Sequence, residues 1–163
     1  MQTTLCYLER DGSYLMLHRI KKKNDINRDK WIGVGGKFEE GESPEDCMRR
    51  EVLEETGLVV RRWRYRGIVT FVSDLSGTEY MHLFTIDGWD GDVRDCDEGQ
   101  LRWIEKEKLL SLPMWEGDRI FLELIRQESE PFFSLKLIYR GEKLIAAEKD
   151  GKRIPLAGPQ PEK

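Results

Sequence analysis

The sequence has 163 residues, of which 39% are hydrophobic and 36% are charged, and its formal net charge is −4 at pH 7. These values are typical of one soluble domain with a hydrophobic core, and they exclude a disordered chain. The negative charge argues against tight binding to long nucleic acid, and no apolar run approaches the roughly 18 residues that cross a bilayer. Three cysteines without metal-ligand spacing favour reduced thiols in a cytoplasmic protein.

The first part of the chain combines predicted strands with turns. Residues 3–9 and 13–19 are strand candidates on either side of Asp11-Gly12, a pair that favours a hairpin turn. A charged loop follows over residues 21–30. Residues 31–42, WIGVGGKFEEGE, then contain four glycines, too many for a regular element. The backbone of such a loop can approach a ligand closely.

A helix is predicted between Ser43, which can cap its first turn, and Gly57, which suits a left-handed C-terminal cap. Within this helix, Glu51, Glu54 and Glu55 lie at positions i, i+3 and i+4 and therefore share one face. Two interpretations remain open. The acidic face is either a solvated surface, or it is the ligand set of a hard dication such as Mg²⁺, which binds carboxylates, water and phosphate oxygens.

The remaining elements predict the fold class. In chain order, they are strands over 59–72, 79–86 and 101–105, a helix over 118–128 and a hairpin over 132–147. Two helices with these strands predict an α/β (α+β) fold, an α/β/α sandwich with a mixed β-sheet between helices. We expect a single domain over residues 1–150, followed by a flexible C-terminal tail over 151–163.

The glycine-rich loop and the acidic helix together resemble the Nudix hydrolase signature, G-x5-E-x7-R-E-U-x-E-E-x-G-U, where U is a bulky apolar residue. Residues 36–58 read GKFEEGESPEDCMRREVLEETGL and match every fixed position. Seven fixed polar or glycine positions match by chance on the order of once in ten million windows. The resemblance extends over residues 3–147 and is to the MutT branch, the 8-oxo-dGTP diphosphatases, in the form found in Gram-positive bacteria.

The resemblance implies a catalytic Mg²⁺ or Mn²⁺ site. Its ligands would be Glu51, Glu54, Glu55 and the carbonyl oxygen of Gly35. By the same resemblance, Glu98 would be an additional ligand or the general base, a role that Glu54 or Glu55 could take instead.

The other polar positions of the signature have structural interpretations. Arg50 belongs to the catalytic motif, but we favour an ion pair between Arg50 and Glu42 that holds the loop to the helix. Gly36 and Gly57 are assigned structural roles in the same motif.

Substrate contacts are also implied by the resemblance. Arg19 and Lys37 are candidates for binding the phosphates, and Arg19 could alternatively be a solvent-facing strand end. Trp115 and Asp118 match positions that contact the base in relatives, although Trp115 could be a core aromatic residue and Asp118 a helix N-cap. The position of a relative's base-reading asparagine is occupied here by Ile32.

The resemblance therefore implies a Mg²⁺-dependent nucleoside triphosphate pyrophosphohydrolase that converts 8-oxo-dGTP to 8-oxo-dGMP and sanitises the nucleotide pool. One alternative is a Nudix hydrolase of another nucleoside diphosphate, such as ADP-ribose or a dinucleoside polyphosphate. A second is a nucleotide-sensing domain without turnover, and a third is an acidic helix that binds metal only incidentally. We expect a cytoplasmic monomer whose partner is the nucleotide, with no long nucleic acid and no membrane.

Overall fold

The computed structural model describes residues 1–20, 24–94, 97 and 99–156. The strands are β1 (Gln2–Arg10), β2 (Ser13–His18), β3 (Trp31–Ile32), β4 (Val59–Ser73), β5 (Gly77–Asp90), β6 (Gln100–Glu105), β7 (Phe133–Arg140), β8 (Lys143–Lys149) and β9 (Lys152–Ile154). The helices are α1 (Pro44–Thr56), α2 (Glu116–Arg126) and a 3₁₀ helix over Lys106–Ser111. Neither α-helix of these ranges has the length and apolar character needed to cross a bilayer.

The strands form one mixed sheet in the order β3-β2-β1-β5-β4-β7-β8-β9, and β6 pairs with β2. The pairs β1–β5 and β4–β7 are parallel, whereas the other pairs are antiparallel. Successive side chains of a strand point to opposite faces, so Tyr7 and Leu8 of β1 lie in two different core clusters. Val52 of α1 packs in the cluster with Leu8, and Phe121 of α2 packs in the cluster with Tyr7. The predicted sheet between two helices is therefore confirmed.

Local side-chain contacts define both ends of α1, as predicted. The hydroxyl of Ser43 accepts a hydrogen bond from the backbone N–H of Asp46 at 3.0 Å, and the Asp46 carboxylate accepts one from the N–H of Ser43 at 3.1 Å. At the other end, Gly57 has a φ of 82°, and its N–H donates to the carbonyl of Leu53. The Arg94 guanidinium also donates to that carbonyl, at 3.1 Å.

Two features differ from the sequence prediction. The second helix begins at Glu116, and Trp115 occupies its N-cap position without a side-chain hydrogen bond. Asp118 therefore lies inside the first turn and is not the cap. Strand β9, Lys152–Ile154, pairs with β8 within the segment expected to be a flexible tail. The hairpin turn at Asp150-Gly151, where both φ angles are positive, provides the physical reason for this pairing.

Candidate active site

A cavity of about 620 Å³ lies between the glycine-rich loop, the acidic face of α1 and the start of α2. Its size is within the range of small-molecule sites. The polar part of its wall is formed by the loop and α1, and it includes Gly35, Gly36, Lys37, Arg50, Glu51 and Glu54. The more apolar part includes Ile26, Asn27, Ile32, Phe71, Met81, Trp115 and Asp118.

The glycine-rich loop lies so close to its neighbours that side chains would not fit. A Cβ atom at Gly36 would lie 2.6 Å from the Glu51 carboxylate, and one at Gly35 would lie 2.0 Å from the Thr4 carbonyl oxygen. The loop is held there because the N–H of Gly35 donates to Oε2 of Glu55 at 2.7 Å. Two of the three predicted ligand carboxylates therefore lie directly against the loop backbone.

Arg50 connects the loop to α1 through several hydrogen bonds. Its Nε and Nη2 atoms donate to the two carboxylate oxygens of Glu42 at 2.7 and 2.9 Å. Its Nη1 donates to Glu51 at 2.8 Å and to Glu54 at 3.2 Å, and Nη2 also donates to the carbonyl of Lys37. The hydrogen bonds from Arg50 lower the pKa of Glu42 from 4.5 to about 2. The structure thus contains the Glu42–Arg50 ion pair that we favoured from the sequence.

The donor chemistry of α1 fits a hard dication, because Glu51, Glu54 and Glu55 offer only oxygen ligands. Of these, Glu55 lies against the backbone of Gly35, and Glu51 lies against Gly36. Arg50 contacts two of these carboxylates, and the Gly35 N–H contacts the third. In the part of the chain that the structure describes, no three acidic, histidine or cysteine side chains converge in a metal-holding arrangement. The metal site therefore remains a prediction. The predicted ligand or base Glu98 lies outside the described residues.

The two candidate phosphate-binding cations both line the cavity. The Arg19 side chain is only 15% exposed, and its Nε donates to Oδ2 of Asp25 at 2.6 Å. The alternative of a solvent-facing strand end is therefore wrong for Arg19. Lys37 contributes its carbonyl to Arg50, as described above.

The candidate base contacts lie at the apolar part of the cavity. Trp115 is 4% exposed, and its ring packs edge-on against Phe71 at a centroid distance of 5.3 Å, with the Lys30 ammonium 4.6 Å from its centroid. Trp115 is thus both a core aromatic residue and part of the cavity wall. Burial of Asp118 raises the pKa of its carboxyl from 3.8 to about 8. Ile32, which replaces the asparagine of a relative, lines the same cavity.

Asn27 is a cavity residue that the sequence did not predict. Its side-chain Oδ1 accepts a hydrogen bond from Nε1 of Trp115 at 2.7 Å. The two residues are 88 positions apart in the chain. No local pattern could have indicated this contact, because Asn27 lies in a charged loop that is typical of a solvated surface.

Comparisons with known proteins agree with this geometry. A family model described as the NUDIX domain matches residues 2–125. The chain is 35% identical to an oxidized purine nucleoside triphosphate hydrolase of Danio rerio over 109 residues, 66% of this chain and 69% of that protein. It is 33% identical to the uncharacterized Nudix hydrolase YvcI of Bacillus subtilis over 129 residues, 76% of this chain and 78% of that protein. The crystal structure of a MutT protein from Bacillus halodurans superposes with a TM-score of 0.81 at 26% identity, over 91% of this chain and 97% of that one.

Proposed function

The chain belongs to the Nudix hydrolase family, and we propose that it is a Mg²⁺-dependent pyrophosphohydrolase that converts 8-oxo-dGTP and water to 8-oxo-dGMP and pyrophosphate. The observation that carries this proposal is that one cavity joins the acidic face of α1 to a wall containing Trp115 and Asp118. A polyphosphate and a purine can thus be held together, with the phosphates at the polar part and the base at the apolar part.

The polar part of the cavity is suited to phosphate chemistry. Mg²⁺ or Mn²⁺, held by Glu51, Glu54, Glu55 and the Gly35 carbonyl, would neutralise phosphate charge and activate the attacking water. Arg50 keeps two of these carboxylates beside the loop through its hydrogen bonds at 2.8 and 3.2 Å. The Arg19 guanidinium and the Lys37 ammonium are proposed to bind the phosphate oxygens.

The apolar part of the cavity is suited to a purine. The buried ring of Trp115 offers a wall against which the base can pack, and Ile32 adds apolar surface. Asp118 can form a directed hydrogen bond, and its raised pKa gives a substantial protonated fraction near neutral pH. The relative from Danio rerio, whose name specifies oxidized purine nucleoside triphosphates, supports the choice of this substrate class.

The proposal is tested by measuring pyrophosphate release from 8-oxo-dGTP and from dGTP by the purified protein with Mg²⁺. We expect far faster release from the oxidised nucleotide. Equal and negligible rates on both would contradict the proposal. Adding ADP-ribose and a dinucleoside polyphosphate to the same assay tests the alternative substrates, because preferred turnover of either would reassign the enzyme. Hydrolysis in ¹⁸O-labelled water then shows which phosphorus the water attacks.

A nucleotide-sensing domain without turnover is the alternative from another functional class. All three predicted ligand glutamates are present in this chain, which favours a catalytic protein. Tight binding of 8-oxo-dGTP without any product would support the sensing alternative.

A further inference from the structure

The backbone of Asn27 is fixed on both sides in the loop that connects β2 to β3. Its N–H donates to Oδ1 of Asp25 at 3.0 Å, and its carbonyl accepts a hydrogen bond from the N–H of Lys30 at 2.9 Å. Asp25 is in turn held by Arg19 at 2.6 Å. Asn27 therefore reaches the cavity from a hydrogen-bonded loop segment.

The orientation of the Asn27 amide follows from its partner. Indole Nε1–H of Trp115 can only donate, so the Asn27 atom 2.7 Å from it must be the carbonyl oxygen. The NH₂ group is then the remaining polar end of the side chain. Within residues 1–20, 24–94, 97 and 99–156, no hydrogen-bond acceptor is found for this NH₂ group. Asn27 lines the cavity beside Trp115, which is 4% exposed, so the NH₂ group is the end of the amide that can donate to a ligand there.

An amide that can only donate hydrogen bonds discriminates between purines by the group that they carry at position 6. An asparagine with both amide groups available can pair with the amino group and N7 of adenine, because it offers an acceptor and a donor. At Asn27 the acceptor is occupied by Trp115. The NH₂ group complements a carbonyl oxygen at position 6, as in guanine, and it opposes the N–H bonds of a 6-amino group.

We propose that Asn27 is a specificity-determining residue that donates a hydrogen bond to the 6-carbonyl oxygen of the purine and so selects 6-oxo over 6-amino nucleotides. This inference rests on the proposed function, since it requires that the cavity accepts a purine nucleotide. Ile32 has no amide with which to make this hydrogen bond. Asn27, which lies in a different segment of the chain, would make it instead.

The test compares the affinities of 8-oxo-dIMP and 8-oxo-dAMP by calorimetry, because these nucleotides differ only around position 6. The wild-type protein should prefer 8-oxo-dIMP by about tenfold, the effect of one well-placed hydrogen bond. Asn27→Asp keeps an oxygen for Trp115 and replaces the NH₂ group by an acceptor, so the preference should reverse. Its added charge acts equally on both monophosphates and cancels in the ratio. Asn27→Ala removes the donor without adding charge and should bring the ratio close to one.

Asn24→Asp is the matched control, because it makes the same chemical change at an exposed position of the same loop outside the cavity wall. It should keep the wild-type ratio. If both Asn27 variants also keep that ratio while binding nucleotide, the role of Asn27 is wrong and the proposed function stands. If the wild-type protein hydrolyses 8-oxo-dGTP but binds neither monophosphate, the role of Asn27 is wrong, whereas failure of both binding and hydrolysis would make both proposals wrong.

Discussion

At the scale of single residues, Arg50 determines where the acidic side chains of the signature lie. One guanidinium reaches Glu42 in the loop and two carboxylates of α1 at distances between 2.7 and 3.2 Å. A bidentate pair of this kind is directional as well as charged, so it fixes the loop relative to the helix. The guanidinium of Arg50 thereby compensates the negative charge of the closely spaced carboxylates of α1.

The Glu42–Arg50 pair predicts how stability depends on acidity. The pKa of Glu42 is about 2 in the folded protein and near 4.5 in the unfolded chain. Its contribution is therefore present above pH 4.5 and is lost as the pH falls towards 2, because the unfolded carboxyl binds the proton first. Glu42→Gln should lower the free energy of unfolding at pH 7 by roughly 1–3 kcal/mol and weaken its acid dependence. Urea unfolding between pH 2 and 7 measures both effects, and an unchanged pH profile in the variant would contradict this role.

At Glu55, the effect of the negative charge can be tested separately from the effect of the hydrogen bond. In Glu55→Gln, the amide oxygen can still accept the hydrogen bond that the carboxylate now receives from the Gly35 N–H at 2.7 Å. The fold should persist, whereas the loss of an anionic ligand should lower kcat by about a hundredfold or more. The exposed Glu123 on α2 provides the control, since Glu123→Gln makes the same change away from the cavity. Normal turnover in folded Glu55→Gln would be incompatible with its proposed role as a ligand.

At the scale of elements, signals that act over short chain distances predicted α1 well. The caps at Ser43 and Gly57 involve contacts within four positions, and Arg50 and Glu42 are eight positions apart. The start of α2 was predicted two residues late, because an apolar stripe marks the buried face of a helix and not its first turn. Asn27 was missed because its partner is determined by tertiary packing across 88 positions.

The first turn of α2 gives a second prediction about pH. Asp118 is 4% exposed, and its pKa is about 8 in the folded protein against 3.8 for the ordinary carboxyl. Between these values only the folded state retains the proton, so stability decreases as the pH rises to about 8. Asp118→Asn removes this dependence. The unfolding free energy of the variant, relative to wild type, should therefore increase from pH 4 to 8 and stay constant above.

Urea unfolding at pH 5, 7 and 9 without nucleotide measures this difference, with Glu123→Gln as the exposed control. If the difference in unfolding free energy between Asp118→Asn and the wild type does not change with pH, Asp118 is ionised in the folded protein.

At the scale of the whole molecule, the sheet brings together two helices that pack on its opposite faces. Residues of α1 and α2 both line the cavity, although Val52 and Phe121 place these helices in separate core clusters. The order of the predicted strands and helices predicted this layered architecture. It could not predict the shared cavity, because strand order and the path of the glycine-rich loop beside β1 depend on contacts between distant segments.

The central claim is that the α1 carboxylates hold a divalent cation beside a bound polyphosphate. Calorimetric titration of Mg²⁺, with and without a non-hydrolysable 8-oxo-dGTP analogue, tests it most directly, and the same titration without protein corrects for binding to the analogue. The account predicts Mg²⁺ uptake that is tighter when the analogue is present, weakened in Glu55→Gln and retained in Glu123→Gln. No Mg²⁺ uptake by the protein in the presence of the analogue would contradict the account.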